Sequence, residues 1–130
     1  MTSRQTVEAP GAPAPAGPYY VHAVKAAGLL FCSGQIPLDP ETGELTGDTP
    51  AEQARRCLQN LQAVCVGAGT SLDAAVKLTV YLTDIAAMAE VNEAYIAFFP
   101  GGPPARVAIA VTALPRGAQV EIDAVVALVD

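Results

Sequence analysis

From Arg106 onward the side chains alternate, with Val107, Ile109 and Val111 on one side and Arg106, Ala108, Ala110 and Thr112 on the other. That period of two predicts a β-strand with one apolar face and one face of small residues headed by an arginine. Leu114-Pro115-Arg116-Gly117 reads as a turn. A second alternating run follows, with Val120, Ile122, Ala124, Val126 and Leu128 on one face and Gln119, Glu121 and Asp123 opening the other. Upstream, Tyr19–Lys25 and the nearly all-apolar Leu29–Ser33 flank Ala26-Ala27-Gly28, the signature of a hairpin with a buried partner. Pro37–Gly47, with Asp39-Pro40-Glu41-Thr42-Gly43, is loop. Val76, Leu78, Val80 and Leu82, alternating with Lys77, Thr79, Tyr81 and Thr83, predict a central strand.

Two segments have helical spacing instead. Thr49 as N-cap, Pro50 at the first helical position and Glu52 three after the cap form a capping box. Behind it Ala54, Leu58, Leu61, Cys65 and Ala68, joined by Cys57 and Val64, make one apolar stripe that Gly67 and Gly69 end. Asp84 is placed to cap a second helix with the stripe Met88, Val91, Asn92, Tyr95, Phe98 and Phe99, and Pro100-Gly101-Gly102-Pro103-Pro104 stops it. The resulting order, ββαβαββ, predicts an α+β sandwich: a mixed sheet with two helices packed on one face. The other sheet face, rich in Val, Ile and Ala, is left to be covered by a subunit interface.

The 130 residues suit one domain. Met1 to Ala16, Ala/Pro-rich and without periodicity, is expected to be a flexible arm, extended or disordered, with the single domain spanning 17–130. Hydrophobic residues make up 52% and charged residues 15%, a low charge fraction that again points to a buried interface. A net charge of −6, with seven Lys and Arg, argues against nucleic acid as a partner. Cys32, Cys57 and Cys65 form no C-x-x-C pair, and Cys57 and Cys65 lie about 12 Å apart along one helix, too far for a disulfide. They are read as small core residues. No signal peptide and no run of eighteen apolar residues occurs, so no membrane role is expected and the cytoplasm fits best.

Little catalytic chemistry is on offer. There is no glycine-rich phosphate fingerprint, no metal-ligand spacing and one histidine, His22, read as an edge or interface residue. Ser33 and His22 lie in one hairpin without a third member, and Lys25 and Lys77 look solvent-facing. Gly34 either lets a ligand approach the backbone or merely ends a strand. Asn92, on an apolar stripe, must be hydrogen-bonded, as a structural tie or as part of a site wall. Arg106 and Glu121 remain. They are either solvated charges on amphipathic strands or a pair in which the guanidinium grips a carboxylate and the glutamate handles water. A simple hairpin would set Arg106 opposite a residue near Val125, roughly 13 Å from Glu121. Either the two strands are not hairpin partners, or the site is completed across an interface.

The stretch Pro104-Ala105-Arg106, its apolar alternation, Leu114-Pro115 and Val120-Glu121-Ile122 resembles the signature of the Rid family of RidA or YjgF-type imine deaminases. So do Gly17-Pro18-Tyr19, Ser33-Gly34-Gln35-Ile36-Pro37, Asn60-Leu61, Asp84, Val91-Asn92 and Ala97-Phe98-Phe99, so that the resemblance covers nearly everything from Gly17 to Val129. It implies a chorismate-mutase-like homotrimer with sites between subunits. It also implies cofactor-free hydrolysis of 2-imino and 2-enamino acids, such as 2-aminoacrylate and 2-iminobutanoate, to 2-keto acids and ammonia. On that resemblance Arg106 binds the substrate carboxylate, the Gly34 N–H supports it, Glu121 positions the water, and Tyr19, Ser33 and Asn92 line the cleft. Ala108 departs from the cysteine frequent in deaminating members, leaving its backbone N–H as donor and changing the pocket's size and polarity. Val21 and Thr112 are lesser departures. The alternatives are a non-catalytic trimer binding small carboxylates or partner proteins, and the ribonuclease activity attributed to some relatives, which the acidic composition disfavours.

Overall fold

A computed structural model describes residues 3–129. Eight principal elements follow one another: β1 (Gln5–Val7), β2 (Ala23–Ala26), β3 (Leu29–Gln35), α1 (Pro50–Gly67), β4 (Ala75–Leu82), α2 (Met88–Ile96), β5 (Ala105–Ala110) and β6 (Val120–Ala127). The six strands form one sheet in the order β1-β2-β3-β6-β4-β5. Only β4 and β5 pair in parallel; every other pairing is antiparallel. The class is the expected α+β, a mixed sheet with two helices. None of the helices among the described residues is long and apolar enough to cross a membrane.

The local signals act as the sequence predicts. Thr49 accepts from the Glu52 N–H, and the Glu52 carboxylate answers the Thr49 N–H, so the box starts α1 at Pro50. The stripe Ala54, Cys57, Leu58, Leu61, Val64 and Cys65 is fully buried. It meets Leu78, Val80, Leu82, Val120, Ile122 and Val126 from one sheet face, burial that supplies most of the helix's stability. Asp84 caps a 3₁₀ turn, Ile85–Ala87, that runs straight into α2.

Two expectations need correction. Order starts well before Gly17: β1 pairs with β2 (Gln5↔Lys25, Thr6↔Val24, Val7↔Ala23), and Val7, Ala9 and Ala12 are buried. The arm is held by His22, which lies just outside β2 and not on an exposed edge. Its Nδ1 accepts from the Ala9 N–H at 2.9 Å and its Nε2 donates to the Pro13 carbonyl at 2.8 Å. Ala9 also docks on Gly67, where an added Cβ would lie 2.8 Å from the Ala9 Cβ. Backbone pairing and close approach by small residues need no hydrophobic period, which is why composition alone read this segment as loose. The first hairpin is shorter than predicted for the same reason reversed: Tyr19 and Tyr20 alternate with nothing buried, and pairing begins only at Ala23.

The second correction concerns β5 and β6. They are not hairpin partners, because β4 lies between them. Paired residues share a sheet face, so Leu78↔Arg106 sets Arg106 on the helix-covered side, whereas Tyr81↔Glu121 sets Glu121 on the other. That open face carries Val24, Phe31, Val125, Val107 and Ile109 among Thr79, Tyr81 and Asp123, a more polar surface than the sequence suggested.

Candidate functional site

Glu121 is half-buried in the middle of the sheet, and its carboxylate lies directly over the backbone of Gly34. A Cβ at position 34 would overlap Glu121 Oε2. Glycine is therefore needed for the close approach that the sequence left undecided. The β3–β6 ladder shifts register between Cys32 and Gln35, and this irregularity brings Ser33 and Gly34 beneath the carboxylate. Ser33 is engaged locally, its Oγ donating to the Val21 carbonyl at 2.6 Å and its N–H to the His22 carbonyl at 3.0 Å. Burial, then the charge of neighbouring Asp123, pushes the Glu121 carboxyl above the usual glutamate range. Asp123 in turn accepts from the Tyr81 hydroxyl at 2.9 Å.

A cavity of about 850 Å³ opens beside this carboxylate, lined by Ser33, Gly34, Glu121, Tyr20, Ile36, Leu38 and Arg116 among others. Asn60, wholly buried on α1, holds part of its wall by donating to the Ile36 and Leu38 carbonyls at 3.3 and 3.0 Å. The Asn60 amide oxygen accepts from Arg56 Nε and Nη2, which completes the tie. Within one chain Tyr20 borders the cavity, its hydroxyl accepting from the Ala16 N–H at 3.1 Å. Tyr19 is 87% exposed and lies against Gly17.

Arg106 belongs to a different place. On the edge strand β5 its Nη1 donates to Asn92 Oδ1 at 2.7 Å, and its guanidinium carbon stands 4.9 Å from the centroid of the Tyr95 ring. Amide and aromatic face together aim the fork while leaving most of its donors free. Asn92 is thus both tie and wall, since it also lines a cavity of about 510 Å³ with Tyr95, Pro103, Pro104 and Arg106. Ala108 lies two residues along β5 on the same face, opposite Val80. The Tyr95 hydroxyl is buried without a hydrogen-bond partner among the described residues. Burial pushes its pKa above the usual tyrosine range, with the Arg106 charge pulling partly back.

Of the predicted residues, the structure brings Ser33, Gly34 and Glu121 together, and Arg106 with Asn92 and Ala108. It does not bring the two groups together within one chain. Leu78 and Tyr81 mark their levels on β4, three residues or about 10 Å apart, with the sheet between them. The sequence reading did not place Asn60 behind the cavity wall or Arg116 at the cavity's border. A buried polar residue on the face of α1 was the available signal for Asn60; Arg116 sat unremarked in a turn. Among the described residues no group of three or more His, Cys, Asp and Glu is placed to hold a metal ion.

Comparison with known proteins bears directly on this geometry. The family model described as endoribonuclease L-PSP matches residues 9–128. The RutC family protein y4sK of Sinorhizobium fredii is 50% identical over 123 residues, covering 95% of this chain and 94% of its own. The 2-iminobutanoate/2-iminopropanoate deaminase of Mus musculus is 41% identical over 122 residues, covering 94% of this chain and 90% of its own. The crystal structure of Escherichia coli TdcF with bound serine superposes with a TM-score of 0.89 at 38% identity, covering 96% of this chain and 99% of that one. With its fold, its motifs and almost its full length in common with these proteins, the chain belongs to the endoribonuclease L-PSP family, the YjgF/RidA family that its sequence resembles.

Proposed function

We propose that the protein is a cofactor-free hydrolase of 2-imino and 2-enamino acids, working at sites completed between copies of the chain. The carrying observation is the desolvated Glu121 carboxylate held over bare Gly34 backbone at the wall of a ligand-sized cavity. Desolvation makes that carboxylate a stronger base than one in water, suited to taking a proton from an attacking water. Arg106, with most of its donors free, suits the substrate carboxylate. The electrophile is the substrate's own protonated C=N, so neither metal nor nucleophile is required. Water adds to the imine carbon and Glu121 accepts its proton. That proton passes to nitrogen; the C–N bond then breaks as the hydroxyl oxygen forms the C=O bond and gives its remaining proton to Glu121, and ammonia leaves a 2-keto acid. The relatives named as deaminases, and the serine held by TdcF, support a small amino-acid-like ligand. Although the family model is described as an endoribonuclease, thirteen Asp and Glu against seven Lys and Arg disfavour an RNA partner for this chain. A reducing cytoplasm suits the three buried free thiols.

The test is to generate 2-aminoacrylate or 2-iminobutanoate in situ and follow keto-acid formation. Acceleration above the spontaneous rate is expected, and none across several imines refutes the reading. The separation of Arg106 from Glu121 within one chain favours a second reading, a trimer that binds carboxylates without turning them over. Saturable binding of 2-oxobutanoate with no hydrolysis would select it.

A further inference from the structure

The cavity beside Glu121 contains a charged side chain that the hydrolysis above leaves unused. Arg116 lines it together with Gly43 and Glu121. It sits in the Pro115–Gly117 turn at φ 59°, ψ 21°, the left-handed region that residues with a Cβ enter at a cost. Such strain persists where the surroundings enforce it, and it gathers at ligand sites. Here the turn aims the guanidinium at the loop opposite, where Nη1 donates to the Gly43 carbonyl at 2.8 Å. That partner is neutral and occupies one of five N–H donors, so the fork keeps its charge and most of its bonding capacity. Its hydrogen bond goes to Gly43 and not to Glu121, and Ile36 and Leu38 supply apolar wall in the same cavity. Glu41 also lines the cavity and, like Arg116, is solvent-exposed, so salt screens both charges.

We propose that Arg116 is a second carboxylate-binding residue that selects 2-imino and 2-keto acids whose side chain ends in a carboxylate. The carbon chain of such a ligand lies along the apolar wall and its distal carboxylate meets the Arg116 fork, leaving the 2-carboxylate to Arg106. For its reaction, and for the hold of Arg106 on the 2-carboxylate, the inference rests on the proposed imine hydrolysis at sites shared between copies; for the distal carboxylate it rests on the cavity alone.

The probes are 2-oxoglutarate and 2-oxobutanoate, titrated calorimetrically at low salt, and the imines of glutamate and 2-aminobutyrate generated in situ. Arg116→Gly removes the fork while easing the positive φ, so it preserves the fold. Arg116→Lys keeps the charge without the fork. The unaltered protein is expected to bind the dicarboxylate about tenfold or more tighter than the monocarboxylate. Arg116→Gly is expected to bring the two within about twofold with 2-oxobutanoate binding unchanged, and Arg116→Lys to fall between. Equal affinities in the unaltered protein, or a preference that survives Arg116→Gly, overturn the inference. An Arg116-dependent preference without hydrolysis of either imine leaves the anion site standing and removes the proposed reaction. Hydrolysis of the monocarboxylate imine without any dicarboxylate preference does the reverse.

Discussion

The bare backbone of Gly34 is what lets the Glu121 carboxylate lie over it. Gly34→Ala would displace the flexible end of Glu121 without creating a clash of backbone with backbone. Turnover should therefore fall while the melting temperature stays close to its original value; a large loss of stability with full activity per folded site would refute this positioning role. Glu121→Gln keeps shape and removes the base. Keto-acid analogues should bind nearly as before while kcat falls roughly 10²- to 10⁴-fold. The raised pKa fixes two signs. Hydrolysis needs the ionised carboxylate, so it should rise with pH through a midpoint above the usual glutamate range, a limb absent from Glu121→Gln. A carboxyl whose pKa is raised by folding contributes stability below its unfolded pKa and loses it as pH rises through the folded value. At neutral pH Glu121→Gln should thus be neutral or stabilising, as melting across a pH series would show. Arg106→Ala instead removes a contact made in ground and transition states alike, and ligand binding should weaken by about 1.5–3 kcal/mol. The identities of these two residues were legible because each is a charge among small or apolar neighbours. That they face opposite ways was not, since a face is set by strand order and register, which no single stretch of sequence encodes.

Among the elements, β1 shows what periodicity cannot reveal. The helix α1 announces itself through Thr49, Pro50, Glu52 and an unbroken apolar stripe, all local signals. The N-terminal segment has none of these and is ordered by partners far along the chain: β2 through its backbone, Gly67 through close approach, and His22 through both ring nitrogens. The histidine must carry its proton on Nε2, since Nδ1 accepts from Ala9. His22→Ala would leave the Ala9 N–H and the Pro13 carbonyl unpaired in a buried setting, a loss of about 1–3 kcal/mol. Amide exchange should then quicken across residues 5–13 while α1 and β4 keep their protection. Uniform quickening would mean that His22 supports the whole core and not this segment. Because Pro13, Ala14 and Ala16 line the Glu121 cavity, the same variant should also weaken ligand binding there.

The molecule as a whole leaves one sheet face without a helix over it. Phe31 on β3 and Val107 and Ile109 on β5 are 45%, 39% and 42% exposed on that side, apolar side chains that an isolated chain would present to water on either flank of the polar β4 and β6 positions. Arg106 stands at the sheet edge on the far side of β4 from Glu121, facing the opposite way. One chain therefore cannot put both residues on a small substrate, whereas a second chain laid against the open face can bring its own edge strand to the Glu121 cavity. The expected state is a homotrimer, checked by light scattering at micromolar concentration; a monomer there contradicts it. Val107→Asp, which buries a charge in the proposed interface on the sheet face opposite Arg106 and lines neither cavity, should dissociate the assembly. Activity should fall in step with the trimer fraction as concentration is lowered, while far-ultraviolet circular dichroism is retained. A monomeric Val107→Asp protein with full turnover would place Arg106, Glu121 and substrate within one chain and end the shared-site account.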